Sequence, residues 1–175
     1  MADDFVKTTN RHFISSNYEI RRENNFILTI EGLGKNNIDL FVMKAFLPKV
    51  SINVIDLRRG NDSLKFAGAA TWQGGTLEIL DTTDNETFQA IYNWFKQVYD
   101  SKKGGVIGKA SEYKKTGYIT EYIADGQEGR RWNLSGLWIS DFDFGTLNAE
   151  SADFKRVSLK IEIDPTYNKD LIEFD

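Results

Sequence analysis

Between Val157 and Asp164 the chain alternates without a break: Val157, Leu159, Ile161 and Ile163 are apolar, and Ser158, Lys160, Glu162 and Asp164 between them are polar. A period of two sends successive side chains to opposite faces of a strand, so this segment must lie in a sheet with one buried face and one wet one. The same period recurs in Phe26, Leu28 and Ile30, in Ile38, Leu40 and Val42, and in Val50, Ile52 and Val54. These read as half-buried strands, and the chain as mainly β.

Punctuation between the runs orders the strands. Gly32 to Asn37 tolerates positive φ and predicts a hairpin, and Pro48 breaks the next pair. Leu64 with Phe66, and Thr76 to Leu80, fit two further strands. At Thr83 the period changes. Thr83 is placed to cap, Glu86 to reach back, and Phe88, Ile91, Tyr92, Phe95, Val98 and Tyr99 follow helical spacing. Lys102, Lys103 and Gly104 then predict the helix end, giving a single helix over about 84–102. Tyr118, Thr120 and Tyr122 lead through a turn at Asp125 to Gly129 into Trp132, Leu134, Gly136 and Trp138, a second hairpin. Three regions follow: a polar leader, 1–25, expected to be mobile unless something ties it down; a folded domain, 26–164; and a tail, 165–175, whose Leu171, Ile172 and Phe174 would sit more comfortably against a neighbour.

With 175 residues and a formal charge of −4, the chain makes one domain without the basic balance of a general nucleic-acid binder. It has no cysteine, hence no disulfide and no thiolate metal site. Its apolar runs fall short of the ~20 residues a membrane helix requires.

Motif by motif, reaction chemistry drops out. His12 is the one histidine and has no base partner in the sequence, which removes triads and histidine-rich metal sites. Asp143, Phe144 and Gly145 copy a kinase triplet without its catalytic loop or strand lysine. Gly104, Gly105, Gly108 and Lys109 suggest a phosphate cradle, but Lys103 stands where a glycine is required, Ala110 replaces the hydroxyl, and the loop follows a helix. Asp141 and Asp143 lack the further oxygen ligands of a calcium site. No cofactor is implied. Trp72, Trp94, Trp132 and Trp138 permit a sugar-stacking platform, although strand tryptophans such as Trp132 and Trp138 are more often core. Trp94 falls off the main helical stripe, so it either widens that stripe or faces a partner subunit.

What remains patterned and polar is the glycine-hinged loop, about 102–116, carrying Lys109, Glu112, Tyr113, Lys114 and Lys115. Loops of this kind usually meet another molecule.

Several segments, in order, carry a family likeness: Lys44 and Ala45 with Leu47 and Pro48, the helix around Phe88 to Trp94, Gly108, Lys109, Glu112, Tyr113, Lys114 and Lys115, and finally Gly136, Leu137 and Trp138. Across Phe26 to Asp164 the chain resembles the tail tube proteins of contractile-tailed bacteriophages, whose fold is shared with the haemolysin-coregulated protein of type VI secretion. The resemblance implies a two-sheet β-sandwich or small barrel with one flanking α-helix, six copies to a ring, and rings stacked into a hollow conduit in the virion tail, assembled in the host cytoplasm. It implies as partners other copies of the chain, the tail sheath, the baseplate, the tail terminator and the tape-measure protein. DNA would only pass through the lumen, and no membrane is involved. Under it, Lys109, Glu112, Tyr113, Lys114, Lys115 and Trp94 become candidate subunit or inter-ring contacts, with the loop loose before assembly, and Ser158, Lys160, Glu162 and Asp164 candidate lumen-lining residues. The alternatives are the tube of a related injection or type VI system, a carbohydrate-binding β-sandwich, and, least supported, an enzyme.

Overall fold

The computed structural model describes residues 21–33, 42–83, 85–123, 126–167 and 169–174. Most of the expected leader, the Gly32–Asn37 turn beyond Leu33, and Ile38 and Leu40 lie outside the described residues. Within them the chain is mainly β. In order come β1 (Phe26–Ile30), β2 (Val42–Lys44), β3 (Lys49–Arg59), β4 (Asp62–Gln73), β5 (Gly75–Leu80), the helix α1 (Glu86–Val98), β6 (Tyr99–Asp100), β7 (Val106–Ile107), the single turn α2 (Ala110–Tyr113), β8 (Lys115–Tyr122), β9 (Glu128–Asp143), β10 (Arg156–Asp164) and β11 (Ile172–Phe174).

One path of antiparallel strands runs β1-β8-β9-β10-β5-β2, with β11 added to β9. The 16-residue β9 belongs to both layers. Its first half pairs with β8 and β11, its second half with β10, and register shifts opposite Lys160–Ile161 and Glu162–Asp164 turn it between them. Extra residues at such shifts bend a strand and increase its twist, which is how one strand serves two sheets. They also move Trp132 and Trp138 to opposite faces. Trp132 pairs with core-facing Ile119, whereas Trp138 pairs with Glu162 on the polar side.

The alternation in Val157–Asp164 is realised in β10. Leu159 and Ile161 are fully buried, while Ser158, Lys160, Glu162 and Asp164 lie on the accessible face. Leu77 and Ile79 of β5, Ile139 and Leu134 of β9, Ile119 of β8 and Leu28 of β1 complete the core. At ~1.5–3 kcal/mol for each large aliphatic side chain removed from water, this cluster dominates the stability of the domain. At one end Glu121 accepts hydrogen bonds from Arg130 and from the Trp132 indole N–H, each at 2.7 Å, with Arg21 3.6 Å away.

The helix is shorter than its sequence pattern predicts. It starts behind Asn85, which sits at φ 59° and makes no side-chain cap bond, so the cap is not the expected Thr83. It ends at Val98, where the backbone turns extended. Gly104 does adopt the left-handed conformation, but it closes the following 3-10 turn, Ser101–Lys103. The buried line of α1 is Thr87, Ile91 and Trp94, at helical spacings of four and three. Phe88, Tyr92 and Phe95 flank it and stack on Phe142 at the end of β9, with ring centroids 5.4–6.3 Å apart.

Two elements behave differently from expectation. The tail adds β11 to its own sheet, Ile172 pairing with Trp132, while Phe174 stays exposed. β3 and β4 pair with each other and stand apart from the main sheet, forming a long hairpin arm in which Ile52, Val54, Ile55, Leu57 and Phe66 are each more than half exposed. The strands are there, but the half-burial read from their alternation is not, because no core lies behind either face.

Candidate assembly surfaces

The 102–116 loop is built onto the domain, where looseness was expected. Trp94 is 2% exposed, and its indole N–H donates to the Tyr113 carbonyl at 2.7 Å. That bond ties α2 to α1. The Tyr113 ring packs against Trp138 at 6.0 Å. Gly108 donates to the Val98 carbonyl, and any side chain there would collide with the Gln97 carbonyl, so glycine is required by close approach. The proposed interface role of Trp94 is therefore corrected: it is core, and it holds the loop in place.

The remaining loop residues divide. Lys114 reaches across to Asp164 at 2.6 Å, which joins a candidate contact residue to a candidate lumen residue, and Lys115 lies 3.5 Å from the Gly32 carbonyl. Lys109 and Glu112 are exposed. Together with Asn93, Lys96, Asp100 and Lys103 they line an open groove of about 520 Å³ beside the helix. A second cleft, about 650 Å³, opens between the edge strands β1 and β2, with Arg21, Met43, Leu47 and Glu121 on its walls. Among the described residues no group of carboxylates or histidines is placed to hold a metal ion, and no helix is long and apolar enough to cross a membrane.

The polar face of β10 continues onto its neighbours. Ser158 stands between Glu78 and Asp143, and Lys160 between Thr76 and Asp141. Lys44 on β2 approaches Glu78 at 3.5 Å, and Lys160 approaches Glu162 at 3.1 Å. With Asp164 and its partner Lys114, and with Arg156 at the start of β10, the face carries Glu78, Asp141, Asp143, Glu162 and Asp164 against Lys44, Lys114, Arg156 and Lys160, close to charge balance. Arg131, on the other half of the sheet, has its pKa raised by its hydrogen bond to Glu128. Of the four tryptophans Trp94 is buried, and Trp72, Trp132 and Trp138 are half-buried.

The arm escaped the sequence reading as a surface. Its signal was present in the length of the run: Lys49 to Gln73 contains no helix signal and is far longer than a core strand pair requires.

This architecture is that of tube-type subunits of contractile injection machines. The anti-feeding prophage cap, which terminates its tube, superposes with a TM-score of 0.69 at 17% identity over 91% of this chain and 95% of its own. The sheath/tube terminator of the extracellular contractile injection system PVC gives 0.70 at 14% identity, covering 90% and 99%, and a chain of the PVC sheath-tube complex gives 0.63 at 17%, covering 94% and 97%. The chain belongs to the T4-like virus tail tube protein gp19 family, whose model matches residues 22–165. The gp19 tail tube proteins of Enterobacteria phages T4 and T6 are each 28% identical to it over 138 residues, 77% of this chain and 81% of theirs. Membership gives the coarse function: a tail tube protein, a structural component of the virion tail.

Proposed function

We propose that six copies of this chain close into a ring and that rings stack into the inner tube of a contractile phage tail, the conduit for genome delivery. The observation that carries the reading is the β3–β4 arm. An arm with apolar side chains and free strand edges in water is an aggregation hazard for a monomer and a joining surface for a polymer. Ring closure needs an interface whose rotation returns to its start, and an arm that leaves its own body to lie on the next one supplies it.

The polar face of β9, β10, β5 and β2 is the surface we assign to the lumen, including Ser158, Lys160, Glu162 and Asp164. Its carboxylates offset its cations, so the face presents no net positive charge to which passing phosphates would adhere. Lys109 and Glu112, exposed on the outer groove, remain available for inter-subunit or sheath contact, and Tyr113, Lys114 and Lys115 support that surface from behind. The sheath, baseplate, terminator and tape-measure proteins are the further partners this reading requires. The role is structural, with no reaction and no cofactor.

Negative-stain electron microscopy of the concentrated, purified chain tests the reading: hollow tubes or six-fold rings are expected. A protein that stays monomeric at every concentration, alone and with baseplate present as template, would sink it.

A further inference from the structure

We infer that the arm is two-sided and engages two different copies of this chain at once, one along its base and another along its tip. The inference rests on the tube reading above. In β3 the apolar positions near the base are Val50, Ile52 and Val54, and the set then shifts by one to Ile55 and Leu57. Because side chains alternate along a strand, the shift moves the apolar face to the other side.

The partner strand reaches the same result by a different route. Cross-strand pairs share a face, so Phe66 and Leu64 lie with Ile55 and Leu57, while Ala67 and Ala70 lie with Val54 and Ile52. Between Ile52 and Val54 there is one residue, and between Ala70 and Ala67 there are two. That extra residue is a bulge, and it flips the alternation of β4 where β3 changes its apolar set. Gly68 sits at the bulge, where a Cβ would press on the Asn53 carbonyl at 3.0 Å and on Ile55 Cγ1 at 3.1 Å. Small size there lets the reversal pack.

The side opposite each apolar patch is polar. Asp56 pairs with Lys65 and Arg58 with Ser63 behind the tip, and Ser51 pairs with Thr71 behind the base. A single body lying along one side of the arm would cover one apolar patch and desolvate the Asp56–Lys65 pair instead of the other. Two bodies, one on each side, cover both patches. Copies of the same chain are the occupant, because a tail tube protein polymerises with itself and each copy brings the same unsatisfied arm. The two contacts would then be separate interfaces, one within a ring and one between rings.

The test uses two double variants of the full chain, Ile52→Asp with Val54→Asp at the base and Leu57→Asp with Leu64→Asp at the tip. Neither touches the domain core, and melting curves within a few degrees of wild type verify the fold. Assembly is followed by sedimentation velocity and negative-stain microscopy. Wild type is expected to form rings and tubes, and each variant to lose tubes at least ten-fold and to stop at a different species, one at closed rings and the other before ring closure. The same arrested species for both variants, or tubes from either, would overturn the two-sided arm. Wild type giving neither rings nor tubes, alone and with baseplate present as template, would overturn the tube reading and the arm with it.

Discussion

Trp94 shows how a residue role is decided by a partner the sequence cannot reveal. Its position beside Phe88, Tyr92 and Phe95 made it look like the outlier of the helix, yet the helix faces the sheet along Thr87, Ile91 and Trp94. The aromatic residues taken as the stripe instead stack on Phe142 and Phe144 at the rim. The deciding contact is the bond to the Tyr113 carbonyl, made across 19 residues of chain. Trp94→Phe removes the donor, leaving that carbonyl unpaired, and also deletes part of a buried ring, so at least about 1–3 kcal/mol of stability should be lost. Hydrogen exchange at Glu112, Tyr113 and Lys114 should quicken more than exchange in β10. Unchanged exchange in α2 with an unchanged melting temperature would show that the bond holds nothing. In the core, Leu159→Ala should cost ~2–5 kcal/mol, because a fully buried side chain leaves a cavity its rigid strand neighbours cannot fill. Chemical denaturation with an unchanged slope reads this directly.

At the scale of elements, local patterns told what forms and failed to tell what covers it. The alternation of β10, the period change into the helix and the punctuation by Pro48 were legible, because each is set by neighbours a few residues away, whereas Gly104 closes the 3-10 turn and not the helix. The bends in β9 were not: they arise where the strand crosses from one sheet to the other and are visible only against β10. The arm was misread for the same reason, since alternation reports a strand with two unlike faces but not what lies against them. The helix start was missed because Asn85 caps by backbone shape, at positive φ, where Thr83 offered a side chain. Asn tolerates that conformation and Gly is free in it, whereas a β-branched residue is not. Asn85→Gly should therefore leave the melting temperature within a few degrees or raise it, and Asn85→Val should lower stability by about 1–2 kcal/mol. Equal effects from the two would mean that backbone strain plays no part at this cap.

For the whole molecule, the domain and the arm divide stability from assembly. The core of the domain lies in β1, β2, β5, β8, β9, β10 and α1, and the arm shares with it chiefly the partly buried Trp72. Lys49 pairs with Gln73, so the two ends of the arm lie side by side where they leave the body. Paired residues in an antiparallel ladder are ~4.5–5.5 Å apart, a gap that a two-residue turn spans. Replacing 50–72 by Asn-Gly should thus give a chain that still folds, with a melting temperature a few degrees lower for the loss of Trp72 packing. At roughly 3.3 Å per residue the eleven-residue β3 reaches about 35 Å, so removing the arm also takes away a projection long enough to cross a neighbouring body. Such a chain should sediment as a monomer at concentrations where the full chain makes tubes. Added in excess to wild type, it can accept a neighbour's arm without offering one, and it should shorten tubes in proportion to its share. Tubes of normal length from the mixture would mean that the arm-less copies are not incorporated. Tubes from the arm-less chain alone would place the joining surface elsewhere, with the exposed Lys109 and Glu112 groove the next to be mutated.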